Sequence, residues 1–255
     1  MTDAIESAKR TAAQRAVADH FSPDFRFVGI GSGTTIIYVV EAIKAACASS
    51  GSSSSISFVP TGYQSRQVII KAGLTPVAFD SLPEEVVLDV AFDGADEVDE
   101  ALNYYRKDQS RLLTKWPSIP IEVCPLAVHT VLHSLRLLGS PTPTDFFIID
   151  APFPSPLLTS SDISAGKGKG DGSDDTWEVQ ELARRIKGIT GVLEVGLFCG
   201  LDGTQAQEIG GGRQGGQRPV AVYFGMEDGN AEEFLEPGDV EAVKAVDKAV
   251  EGMEK

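Results

Sequence analysis

Residues 25–48, FRFVGIGSGTTIIYVVEAIKAACA, leave little freedom of architecture. A short β-rich run stops at a Gly-Ser-Gly turn and enters an apolar stretch with helical spacing, so a strand leads directly into a helix. The rhythm repeats downstream. ISFVPTGYQS reads as a strand ending in a polar turn, RQVIIKAG as a short helix and LTPVAFD as another strand. EEVVLDVAFDGADEVDE then runs an apolar strand into a cluster of acids. Strands alternating with helices imply βαβ units and a mainly parallel sheet.

From about residue 119 the rhythm changes. IPIEVCP, DFFIIDAPF and GVLEVGLF read as strands, with helices over LAVHTVLHSLRLLG and EVQELARRIKGIT and a polar loop at GKGKGDGSDD. The expected fold is α/β: an open, Rossmann-like, mainly parallel sheet domain with a smaller α+β lid domain. Residues 1–117 would form the first, 118–199 the second, and 200–255 a return to the first with an acidic tail, helical from about Val240. PVAVYFG, after the Gly-rich IGGGRQGGQ, would rejoin the first sheet. The serine-rich 49–55 reads as a connection, and residues 1–21 as an amphipathic helix with Ile5, Ala8, Ala12, Ala16 and Val17 at helical spacing.

Charge narrows the partners. Lys plus Arg number 22 against 37 Asp plus Glu, a net charge of −15. Nucleic acid and anionic membranes both require an excess of facing cations, so neither is an expected partner. A small anionic ligand in a locally positive pocket fits. The three cysteines suit neither a disulfide framework nor a CxxC knuckle. With no apolar run of roughly 20 residues and no signal-peptide pattern, the cytosol is the expected compartment.

Three strings carry possible chemistry. GIGSGTT at 29–35 sits between strand and helix, where glycines admit a ligand and a helix N-terminus offers unpaired N–H groups. Ser32, Thr34 and Thr35 add hydroxyl donors suited to phosphate; the pattern is neither a P-loop nor GxGxxG. In DVAFDGADEVDE, Asp93 and Asp96 flank a Gly-Ala turn at a strand's C-terminal end, where open α/β sheets place their ligands. Close carboxylates have split pKa values and can divide acid and base roles. PTGYQS contributes hydroxyls at Thr61 and Ser65. His129 and His133 stand four apart, but HTVLH lacks the glutamate of HExxH and a third ligand, so a polar helix face is expected rather than metal. Trp116 and Trp177 read as packing residues.

VGIGSGTT, FVPTGYQS, DVAFDGADEVD, IPIEVCPLA and GVLEVGLF occur in this order, and together they resemble ribose-5-phosphate isomerase of the A type, especially its fungal members. The resemblance covers most of residues 1–200. It implies an aldose–ketose isomerase of the non-oxidative pentose phosphate pathway, acting without metal or organic cofactor and usually as a homo-oligomer. Ser32, Gly33, Thr34 and Thr35 match the family's phosphate loop. Asp93, Gly94, Ala95 and Asp96 match its carboxylate motif, which serves ring opening and holds sugar hydroxyls. Lys9 matches a lysine near the phosphate.

The sequence also departs from the family. Relatives follow the carboxylate motif with a Lys-Gly-Gly-Gly-Gly-Ala run and an Arg-Glu-Lys segment bearing the base glutamate. Here LNYYRKDQSRLLTKWPSIPIEV passes almost directly to a later element. Arg106 falls where the run's lysine belongs, Lys107 lies beside it, and Arg111 takes the place of a second substrate lysine. No residue matches the base. A second shortening falls near SPTPTDFFIIDAPF. The first should remove a sheet strand and slow catalysis, leaving a catalytically impaired sugar-phosphate binder as the rival reading.

Overall fold

A computed structural model of the chain describes residues 2–50, 56–83, 86–95, 97–98, 104–105, 118–140, 148–153, 157–210, 216–226 and 229–234. Two compact units emerge. One comprises residues 1–94, 203–215 and 220–255, the other residues 95–202 and 216–219.

The first unit opens with helix α1, Thr2–His20, followed by strand β1 (Phe27–Ile30), helix α2 (Ile36–Ser50), strand β2 (Ser57–Pro60), helix α3 (Tyr63–Lys71) and strand β3 (Val90–Phe92). The three strands are parallel, in the order β2-β1-β3. Helix α2 forms although β-branched residues weaken helix propensity, because Ile36, Val39, Val40 and Ile43 share one buried face. That face packs with Ala13 and Val17 of α1, Val28, Ile30, Phe58 and Phe92 of the sheet, and Ile69 of α3. Fully burying each such side chain contributes about 1.5–3 kcal/mol. The Asp89 carboxylate accepts from the N–H groups of Arg26 and Phe27, both at 2.8 Å, and fixes where β1 begins.

The second unit contains strands β4 (Glu97–Val98), β5 (Tyr104–Tyr105) and β6 (Ile119–Val123), helix α4 (Val128–Leu137), strand β7 (Ile148–Ala151), helices α5 (Ser160–Ser164) and α6 (Val179–Lys187), and strands β8 (Val192–Val195) and β9 (Leu197–Phe198). Antiparallel sheet β7-β6-β8 turns Ile119, Ile121, Val123, Ile149, Ala151 and Val195 toward buried residues of α4 and α6. Strands β4, β5 and β9 form a separate antiparallel sheet. Trp177 is buried in this core, as its packing role requires. Arg218 closes the unit: its guanidinium donates to Asp202 at 3.0 Å and to the Gly200 carbonyl at 2.9 Å.

Helix α7 (Gly203–Gly210) and strands β10 (Val222–Gly225) and β11 (Ala231–Phe234) return to the first unit. Strands β10 and β11 pair with each other as an antiparallel hairpin rather than extending the parallel sheet. The hairpin lies against α1. A Cβ at Gly225 would fall 2.0 Å from the Ala8 carbonyl oxygen, so the approach tolerates only glycine. Beside it, Tyr223 Oη donates to Glu233 at 2.6 Å, and it lies 3.1 Å from Asp19 and 2.9 Å from His20 Nε2.

Other elements depart from expectation. LTPVAFD makes only one bridge, Pro76 to Phe58, and then a 3-10 turn at Phe79–Ser81. GVLEVGLF splits at Gly196, whose N–H donates to the Pro120 carbonyl, and its halves join different sheets. Ser49 and Ser50 finish α2 rather than opening a loop. Helices α5 and α7 carry no strong periodicity, and the sequence did not announce them. The helix expected from Val240 and the side chain of Trp116 lie outside the described residues.

Candidate functional site

Strand order β2-β1-β3 makes a topological switch point: the chain leaves β1 toward one neighbour, and the other neighbour, β3, arrives on its opposite side. Loops after such strands diverge and open a crevice at the carboxyl edge of the sheet. The β1–α2 loop and the residues after β3 border this crevice. GIGSGTT and the DGA turn, 60 residues apart in sequence, meet there.

The meeting is direct. Asp93 Oδ1 accepts from the Ser32 N–H at 3.1 Å and from the Gly94 N–H at 2.8 Å. The Gly31 N–H donates to the Phe92 carbonyl at 2.8 Å, and a Cβ on Gly31 would lie 1.9 Å from Asp93 Oδ1. Gly31 is therefore where the carboxylate enters the turn. Gly33 adopts φ +104°, in the left-handed region, which suits glycine. Thr34 and Thr35 follow, and α2 begins at Ile36 with first-turn N–H groups aimed outward. Because Asp93 already engages the Ser32 amide, an anion is left with the hydroxyls and the following amides.

Lys9 reaches this loop from α1. Its ammonium donates to Thr34 Oγ1 at 3.0 Å and to Glu6 at 2.9 Å. Thus Lys9, Ser32, Gly33, Thr34, Thr35, Asp93 and Gly94 share one edge of the first unit. The PTGYQS turn borders it too: Gln64 Oε1 lies 3.5 Å from the Gly33 N–H, and the Thr61 N–H donates to the Ile30 carbonyl. Ser65 is buried and bonds both backbone groups of Gly62, so its hydroxyl caps α3 rather than facing a ligand. Ala95 is exposed. Asp96, Arg106, Lys107 and Arg111 lie outside the described residues.

Sequence reasoning missed Glu6 and Tyr38. The second Glu6 oxygen accepts from the Tyr38 hydroxyl on α2. The Lys9 ammonium and the Tyr38 hydroxyl hold the Glu6 carboxyl below its ordinary range, and the same carboxylate pushes the Tyr38 phenol up. A Lys three residues after a Glu signals a helix-face pair, but nothing local points to Tyr38.

Elsewhere, a cleft of about 440 Å³ in the second unit is lined by Arg184, Lys187, Cys199 and Gln217 among others. Its cations are committed: Arg184 pairs with Glu181 at 2.6 Å and Lys187 with Glu194 at 2.7 Å. His129 and His133 are exposed on α4. Among the described residues, no cluster of three or more His, Cys, Asp or Glu side chains is arranged to hold a metal, and no helix is long and apolar enough to cross a membrane.

Comparison with known proteins bears on this geometry. Residues 57–113 match the family model described as ribose 5-phosphate isomerase A (phosphoriboisomerase A). A ribose-5-phosphate isomerase of Mycosarcoma maydis is 37% identical over 281 aligned positions, covering 93% of this chain and 84% of the relative. Since 93% of 255 residues occupy 281 positions, about 44 positions of the alignment stand opposite gaps in this chain. The ribose 5-phosphate isomerase of Plasmodium falciparum superposes with a TM-score of 0.64 at 18% identity, over 91% of this chain and 99% of that one. A D-ribose-5-phosphate isomerase solved with phospho-erythronic acid superposes at 0.61 and 22% identity, over 91% and 99%.

Proposed function

The chain belongs to the ribose-5-phosphate isomerase A family, and from that membership we infer that it interconverts ribose 5-phosphate and ribulose 5-phosphate at the edge of the β2-β1-β3 sheet. The observation that carries this reading is the convergence of Lys9, the Thr34 hydroxyl and Asp93 on one loop ahead of a 15-residue helix.

Each part has a task in the reaction. The helix N-terminus, the Thr34 and Thr35 hydroxyls and the Lys9 ammonium bind the phosphate dianion by dipole and charge. The fixed Asp93 carboxylate holds sugar hydroxyls and takes part in opening the ring. In the open chain a proton leaves C2 and arrives at C1 while the carbonyl moves from C1 to C2. A charged enediolate lies between, and it needs a base and donors to its oxygens. Arg106, Lys107 and Arg111 are assigned to these oxygens and to the substrate by the family resemblance, as Asp96 is to the sugar. The base glutamate of relatives has no matching residue, and the expected consequence is a lowered rate. The first unit serves as the sugar-phosphate-binding domain, and the second as the smaller α+β domain. A cytosolic homo-oligomer fits this reading, and so does an acidic surface without affinity for nucleic acid.

The test is calorimetric. Thr34→Ala with Thr35→Ala should weaken ribose 5-phosphate binding at least tenfold while leaving the poor binding of ribose unchanged. Unchanged affinity for the phosphorylated sugar would refute the assignment of the loop.

A further inference from the structure

We propose that Glu6 and Tyr38 are positioning residues for phosphate recognition: Glu6, braced by Tyr38, holds the Lys9 ammonium over the β1–α2 loop. The proposal rests on the phosphate-binding reading of that loop and adds two residues to it.

The geometry is a bracket between α1 and α2. Glu6 and Lys9 stand three apart on α1, where side chains of one helix face meet. One Glu6 oxygen accepts from the Lys9 ammonium at 2.9 Å, and the other accepts from Tyr38 Oη. Tyr38 is itself held. The Arg10 guanidinium lies 4.5 Å from its ring centroid and pairs with Glu41 of α2 at 2.6 Å. Lys9 thereby spends one N–H on Glu6 and one on Thr34 Oγ1, and its third points to a ligand on the loop. With its pKa held below the ordinary carboxylate range and that of Tyr38 above the phenol range, the pair is carboxylate and donor at neutral pH.

Two effects oppose each other, and their sizes decide the sign. The Glu6 charge repels a phosphate about 6 Å away through salt water, which weakens binding roughly threefold. A lysine that must be ordered at the moment of binding forfeits up to about thirtyfold in rotamer freedom. Ordering it beforehand outweighs the repulsion. Glu6 therefore strengthens binding of an anion despite carrying the same sign of charge.

The experiment is a double-mutant cycle by calorimetry with phospho-erythronic acid as probe, on the full chain. Glu6→Gln should weaken binding roughly three- to tenfold. Tyr38→Phe, which leaves all charges in place, should weaken it about two- to threefold. In a Lys9→Ala background, Glu6→Gln should cause no further loss, because its effect passes through the ammonium. KM for ribose 5-phosphate should rise by the same factors while kcat moves less than twofold. Equal or tighter binding by Glu6→Gln, or the same loss with and without Lys9, would overturn the proposal. Wild-type protein that does not bind the probe would instead refute the phosphate reading itself, and the proposal with it.

Discussion

At Gly31 a single methyl group decides whether the site can form. Its Cβ would fall 1.9 Å from Asp93 Oδ1, so Gly31→Ala must expel the carboxylate and leave the Ser32 and Gly94 N–H groups without their acceptor. Thermal unfolding should report a loss of about 1–3 kcal/mol, together with weakened phosphosugar binding. Ser140 gives the opposite expectation. Its hydroxyl is buried with no hydrogen-bond partner among the described residues, so Ser140→Ala should stabilise the chain by about 1 kcal/mol, seen as a raised Tm. At this scale legibility depended on sequence distance. Gly31, Gly33 and the Asp93 turn announce themselves through local composition. The bond from Tyr38 to Glu6 joins residues 32 apart on two helices, and no periodicity records it.

Helices and strands were legible where one face is buried. The i, i+3, i+4, i+7 pattern of α2 and the alternation along β6 both carry their environment in the sequence. LTPVAFD had the residues of a strand but gained one bridge, since strand formation needs a partner that composition cannot supply. The hairpin β10–β11 was misplaced for the same reason: PVAVYFG is equally apolar beside a sheet or beside α1, and the Gly225–Ala8 approach decides between them. Helix α6 offers a test by pH. Its Glu181 is drawn down to about 2 by Arg184 and Arg185, from an ordinary 4.5. A folded-state pKa below the unfolded one stabilises the fold fully above about pH 4.5, and the contribution is lost as pH falls toward 2. Glu181→Gln should thus lower Tm at pH 7, by about 1 kcal/mol or less for so exposed a pair, and match the wild type near pH 2.

For the whole chain, the family was legible because five separated motifs keep their order, and the alignment to a 37% identical relative now extends this to 93% of the sequence. Half of the site could be traced from the motifs into space: Lys9, the loop at 32–35 and Asp93 converge as one edge of one unit. The remainder rests on residues 96–111, where the sequence is shorter than the family pattern and periodicity is weak. A positioned general base contributes ~10²–10⁴-fold, so turnover should fall below that of the Mycosarcoma maydis relative by about that range, and inserting the relative's segment after Arg106 should recover it. The most direct measurement is ribulose 5-phosphate formation from ribose 5-phosphate by the purified chain, compared with its Asp93→Asn variant and with chelator present. The expected result is formation above the uncatalysed background, insensitive to chelation and reduced at least tenfold in the variant. A folded protein that binds the phosphosugar yet forms no ribulose 5-phosphate would contradict it and leave a sugar-phosphate binder on an isomerase fold.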